Sequence, residues 1–383
     1  MNMLYLAGAY LRYYWARSLI LVFVVALILF VPFATQTLLA TSERILVSRG
    51  ASTPLVLGSR GSQIDLTMSA LYFSKERPKP LPMGEVEAIW DSGLATPIPM
   101  HNMFSTGGFQ IVGTTLDYFD FRDLTLTEGN GLSFLGDAVI GHNVANALGK
   151  RLGDTLVSAP ENLFDLDGVY PLEMPIVGIL APTNSPDDDA IFVDIKTAWV
   201  IQGIGHGHEN VVTAADLDAE AAVLHYQRIT PENIDSFHFH GAQDVYPATA
   251  AIVVPHDTRS AIILRGRYLD STHGAQLIVP ASVIQRLVDR IFRVQTLLNL
   301  VIAITTLAAF AAIGLAIFLS NRLRAQEIAT AIKLGAHSGM VLRILASETV
   351  ILLVLSSSIA AASAMIVSRN AENWSSWLLA VGT

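Results

Sequence analysis

Five of the ten histidines fall between residues 206 and 240: His206, His208, His225, His238 and His240, with Glu209, Asp235 and Asp244 close in sequence. Imidazole is a common ligand of zinc, copper and nickel. His206/His208 and His238/His240 form two H-x-H pairs, and along an extended strand both rings of such a pair point to one side. Together the pairs could supply a four-nitrogen site for zinc or another transition metal. The plainer reading is a hydrophilic loop that happens to be rich in histidine.

Other chemistry is thin. The chain has no cysteine, which removes disulfides, thiolate nucleophiles and sulfur ligands. It has no G-x-S-x-G either, so no catalytic residue is assigned and the chain reads as non-enzymatic. In GHNVANALGKR, Gly149 and Lys150 lack the spacing and the Ser/Thr of a phosphate-binding loop, so ATP binding by this chain is not expected. Asp187, Asp188 and Asp189 stand in a row within PTNSPDDDA. Successive residues seldom converge on one calcium ion, and the spacing is not that of an EF-hand. A solvated loop is expected there.

The elements that carry these residues are set by an uneven distribution of apolar and charged side chains. Hydrophobic residues make up 52% of the chain and charged ones only 15%, against about a quarter charged in an ordinary soluble domain. All but three of the 33 acidic residues lie between positions 41 and 296, while seven of the 24 basic ones lie outside it, which leaves that segment at net −13. So acidic a segment argues against nucleic acid as a partner.

Three stretches are long and uncharged enough to span a bilayer, which takes about 20 helical residues. The first, Ser18 to Ala40, follows Arg12 and Arg17; a cleaved signal peptide is the alternative, but the apolar run is long and no small-residue cleavage site closes it. The second is Leu297 to Ser320. The third, Leu345 to Val367, carries only Glu348 near its start. Arg322, Arg324, Lys333 and Arg343 lie between the last two, so the positive-inside rule places the N-terminus and the 321–344 loop in the cytoplasm. Residues 1–40 are then a cytoplasmic start and first helix, and 41–296 a large extracytoplasmic domain. Residues 368–383 form a short outer tail whose Trp374 and Trp377 rest at the membrane interface.

Within 41–296 short β-rich runs alternate with helical ones, the mark of an α+β domain. Strands are expected at Thr53–Leu57, Phe109–Thr114, Val139–Ile140, Met174–Leu180, Ala190–Val193, Ala248–Val254 and Gln276–Ile278. Helices are expected at Gly84–Ser92, at Asn143–Leu152 with a stop at Gly153, and at Val283–Val294 running on into the second span.

The inner loop NRLRAQEIATAIKLGAHSGMVLRILASETV has the look of an amphipathic helix, with Ile328 and Ile332 one turn apart and Gly335 ending it. It suits docking in another protein's groove, or anchoring at an anionic lipid surface. Its wording resembles that of the FtsX/MacB-like permeases of ABC transporters. In that family an arginine-rich start, a Glu-Ile-Ala core and a Leu-Gly-Ala end form the loop that grips the ATPase. Here those positions are Arg322, Arg324, Glu327, Ile328, Ala329, Leu334, Gly335 and Ala336, with Lys333 beside them, and Glu348 matches the acid that opens the family's third helix. DYFDFRDLTLTEGN, AVIGHNVANALGKRLGDTL and MPIVGILAPTNSPDDDAIFVDIKTAW resemble a MacB-type periplasmic domain.

The resemblance implies a two-lobed domain with an inserted lobe near 91–240 and a helical membrane bundle. Three helices are expected here, since too few residues follow Val367 for the family's fourth. It also implies a non-catalytic permease subunit of the bacterial inner membrane. Its partners would be a cytoplasmic ATPase that holds ATP and Mg, a second permease copy, a periplasmic adaptor or substrate-binding protein, and lipid. Such subunits are mechanotransmission devices for export or release of substrate. The histidines add metal handling, and a membrane-anchored metal-binding sensor without an ATPase is the alternative.

Overall fold

The computed structural model describes residues 2–75, 78–158, 171–207, 227–269, 274–323, 329–330, 333 and 338–382. Two compact units emerge, one made of Met1–Glu43 with Val288–Ser375, the other of Arg44–Leu287 with Ser376–Thr383.

The first unit is helical. Its chain enters through the helices Asn2–Tyr13 and Trp15–Ala51, and later contributes to Pro280–Leu323 and Ser338–Gly382. Trp15–Ala51 and the Arg343–Ala371 stretch are long and apolar enough to cross a membrane, and only 17% of each apolar window is buried. A core helix of a soluble protein would be mostly buried. Instead Leu19, Ile20 and Phe23 on one helix and Val350, Val354, Met365 and Ile366 on the other are exposed, as side chains facing lipid would be. At about 1.5 Å per residue, the 37 residues of Trp15–Ala51 reach about 55 Å, well beyond a hydrocarbon core of about 30 Å. The expected Leu297–Ser320 span lies inside the unbroken helix Pro280–Leu323. The helix Ser338–Gly382 runs on past Val367, because no proline or glycine interrupts residues 368–381 and the Asn370 side chain donates back to the Ile366 carbonyl.

The second unit is α+β, built on one sheet of 11 strands. Along its main path the strands are Gln227–Arg228, Leu172–Leu180, Ala138–Ile140, Ala190–Asp194, Phe109–Thr114, Ala95–Thr106, Ala250–Pro255, Leu55–Ser59 and Ala275–Ile278. Leu172–Leu180 alternates buried and half-buried residues along its whole length, the period-two pattern of a strand with one core face. Three apolar clusters flank the sheet, around Trp199 and Ala251, around Ile111 and Met174, and around Tyr118 and Phe192. Helices are stopped and started by their caps: Ser62, Asp194 and Asp257 each accept a backbone N–H at a helix start.

Three expectations change. The helix expected to end at Gly153 covers His142–Leu148 and stops at Gly149, whose left-handed φ of +62° closes it. The run Ala248–Val254 breaks at Thr249, whose N–H and Oγ1 both donate to the Met100 carbonyl. The longest strand among the described residues, Ala95–Thr106, was not among the expected ones and runs through Pro97 and Pro99. Both prolines pair with Ala250–Pro255 on one side, while pairing to Phe109–Thr114 begins only at Met100. The Pro99 carbonyl accepts from Thr114 Oγ1 on that second side, so the missing N–H groups face a stretch with no ladder to complete. The strand also ties residues on either side of position 91 into one sheet, and the 91–240 segment does not separate as a compact unit of its own.

Candidate functional site

The histidine pattern resolves into a short antiparallel pair, Gly205–Gly207 with Phe237–Phe239, in the register Gly205↔Phe239, His206↔His238, Gly207↔Phe237. Alternation puts the histidines on one face and the phenylalanines on the other. The glycines are what the phenylalanines need: a Cβ at Gly205 would stand 2.6 Å from the Phe239 ring, and one at Gly207 2.7 Å from Phe237. Each ring lies over a bare backbone, and Phe239 reaches inward to an edge contact with Trp199 at 6.4 Å between centroids. A slip of one residue would bury the imidazoles and expose the rings, so the pattern holds the register.

On the other face three imidazoles converge. Ring centroids lie 4.9 Å apart for His206 and His238, 4.8 Å for His206 and His240, and 4.7 Å for His238 and His240. One nitrogen from each lies within 4.8 Å of the others. His206 and His238 are half-buried and His240 is exposed. His238 Nδ1 is 3.1 Å from the Ser236 carbonyl. A carbonyl only accepts, so in that hydrogen bond Nδ1 is the donor. The fourth expected ligand, His208, lies outside the described residues, as does His225. His101 is a different case: fully buried on the strand Ala95–Thr106, it has its pKa pushed by burial down to about 4.

The aspartate run is not the solvated loop its polarity suggested. Asp187 and Asp188 are buried. Arg49, near the end of the helix Trp15–Ala51, grips Asp187 with both terminal nitrogens, Nη1 to Oδ2 at 2.6 Å and Nη2 to Oδ1 at 2.9 Å. Its Nε donates to the Leu71 carbonyl at 2.8 Å, and Tyr118 OH donates to Asp187 Oδ1 at 2.7 Å. Burial acts to raise the Asp187 pKa, but the Arg49 charge and the bonds from Arg49, Tyr118 and Ser185 outweigh it and hold it at about 2. Asp188 accepts from the Thr183 and Asn184 backbone and from Thr183 Oγ1, closing the loop on itself. Asp189 accepts from Asn143. The carboxylates therefore serve architecture. This lock is not among the sequence expectations; the one signal for it was an arginine placed shortly after a long apolar stretch.

Of the residues assigned to the coupling loop, Arg322, Ala329 and Lys333 are exposed on helical backbone. Arg324, Glu327, Ile328, Leu334, Gly335 and Ala336 lie outside the described residues. Glu348 is buried on the helix Ser338–Gly382.

A model of the MacB-like periplasmic core domain family matches residues 19–225. Among solved structures, the periplasmic region of MacB from Actinobacillus actinomycetemcomitans is similar at 12% identity and a TM-score of 0.36, over 61% of this chain and 92% of that one. The extracellular domain of the noncanonic ABC-type transporter YknZ from Gram-positive bacteria is similar at 13% identity and a TM-score of 0.34, over 58% and 98%. No curated protein matches the sequence.

Proposed function

The chain belongs to the MacB-like periplasmic core domain family, and from that premise we propose that it is the permease subunit of an ABC transporter complex in a bacterial inner membrane. The observation that carries the proposal is a match to this family that begins within one helix long and apolar enough to span a bilayer and is followed by a second such helix. A separate cytoplasmic ATPase supplies the ATP hydrolysis. Its dimerisation on ATP and Mg moves the 321–344 loops, where Arg322, Arg324, Glu327 and the Leu334–Ala336 turn make the contact. Leu297–Ser320 is the second of three membrane helices, and two copies of the chain form the working unit. A periplasmic adaptor or substrate-binding protein receives the motion.

Mechanotransmission fits the helices better than a conducting path does. A path for ions or polar solutes needs ionisable groups facing a bundle interior, and the three apolar stretches hold only Glu348 near one edge. The helix Trp15–Ala51 instead carries Arg49 near its end, whose bidentate grip on Asp187 ties that end of the helix to the loop at Pro186–Asp189 within the outer domain. Export or release of a substrate outside the bilayer follows from such a device.

A membrane-anchored metal sensor without an ATPase is the second reading, favoured by the three clustered imidazoles. Affinity purification of the tagged chain from its native membranes separates the two. An ATPase with Walker motifs should follow it in near-equal amount; recovery of the chain without any nucleotide-binding subunit would sink the transporter reading.

A further inference from the structure

We propose that His206, His238 and His240 form a binding site for a single Zn2+ ion.

Donor chemistry is the first argument. Three imidazoles, with no cysteine in the chain, suit zinc and its first-row neighbours and not calcium or magnesium, which take oxygen. Geometry is the second. Tetrahedral zinc with Zn–N bonds of about 2.0–2.1 Å holds its nitrogens about 3.3 Å apart. The three donor atoms already lie within 4.8 Å of one another, so rotations of the imidazole side chains close the gap without moving backbone.

Preorganisation is the third. His206 and His238 are direct cross-strand partners, and His240 follows His238 on the same face. The phenylalanines seated over Gly205 and Gly207 on the reverse face hold that register. The His240 amide also donates to the Ile204 carbonyl at 3.1 Å, tying the last ligand to the neighbouring strand. The Ser236 carbonyl accepts a hydrogen bond from His238 Nδ1, the outer-shell device that metal-bound histidines commonly use.

Among the described residues three side chains supply ligands, and tetrahedral zinc takes a fourth from water, an incoming ligand or a further side chain. The exposed edge of His240 leaves a path for the ion. Zinc would be taken up and given away on the outer domain, a role separate from ATPase coupling. The site does not depend on the transporter reading, and either can fail alone.

The test uses the full chain in detergent micelles, with any affinity tag removed and metal stripped by chelator. Zn2+ is titrated in competition with a chromogenic chelator, and Co2+ serves as spectroscopic stand-in. We expect one equivalent of Zn2+ per chain and visible bands of low-symmetry, nitrogen-ligated Co2+. His240→Ala, at an exposed position, should weaken zinc by about tenfold or more. The triple variant H206A/H238A/H240A should lose the site, and His256→Ala should bind as the parent does. Circular dichroism checks that each variant is folded, and His240→Ala carries the result if the triple variant is not. Wild-type zinc affinity in folded His240→Ala, or no zinc uptake by the parent chain, would overturn the proposal.

Discussion

Arg49 and Asp187 show how one pair of residues turns a polar loop into a joint. Both side chains are buried, at 7% and 2% exposure, so removing one charge strands the other. A buried pair broken on one side costs about 3–5 kcal/mol, whereas replacing both partners with apolar residues is often neutral. Asp187→Asn is expected to lower the thermal midpoint of the chain in detergent by about 10 °C, since each kcal/mol is worth about 2–4 °C in a domain of this size. Arg49→Met combined with Asp187→Leu should recover most of the loss, read by circular dichroism. The pH dependence has a definite sign. The folded Asp187 pKa of about 2 lies below its ordinary value of 3.8, so its stabilisation is present above about pH 4 and is lost as pH falls towards 2. The shift corresponds to about 2 kcal/mol, and Asp187→Asn should flatten that part of the acid limb. A double variant no less stable at pH 3 than at pH 7, beside a parent equally flat, would remove Asp187 from the account.

Among elements, the Gly205–Gly207 and Phe237–Phe239 pair is small and depends on what lies behind it. Its histidine face is held by aromatic packing on the opposite face, where Phe239 sits between Trp199 and Tyr246. Gly205→Val places methyl groups where the Phe239 ring lies. Overpacking of this kind costs about 1–3 kcal/mol. Hydrogen exchange at the His240 amide should speed up, and zinc affinity should fall although no ligand has changed. Retained protection at that amide in Gly205→Val would show that the ring is not what sets the register. The long helices obey another logic. Trp15–Ala51 keeps Pro32 inside it without a break, a tolerance ordinary in a membrane helix, where neighbouring groups take up the freed carbonyl.

For the whole molecule, ATPase coupling and zinc binding should be separable, because one is assigned to the inner loop and the other to the outer domain. Glu327→Ala with Gly335→Leu is expected to cut ATPase recovery from native membranes by about tenfold, a loss of about 1.4 kcal/mol in association, with zinc stoichiometry unchanged. Loss of both together would point to a general folding defect. Much of this plan was legible in the order of residues alone. Apolar stretches of bilayer length are local properties, and so are the concentration of acids in 41–296 and β-rich runs such as Phe109–Thr114 and Met174–Leu180. They follow from composition along the chain. The family's wording is legible in the same way. Contacts between residues distant in sequence were not. Nothing in the order of residues says that Arg49 meets an aspartate 138 positions on, or that Asp187 and Asp188 are buried. Nor does it say that Pro97 and Pro99 fall where the sheet leaves one side unpaired. Sequence suggested that His238 and His240 share a face; only the pairing of Gly205–Gly207 with Phe237–Phe239 brings His206 to them. That pairing depends on packing behind the strands, and packing is decided by the assembled core rather than by any one segment.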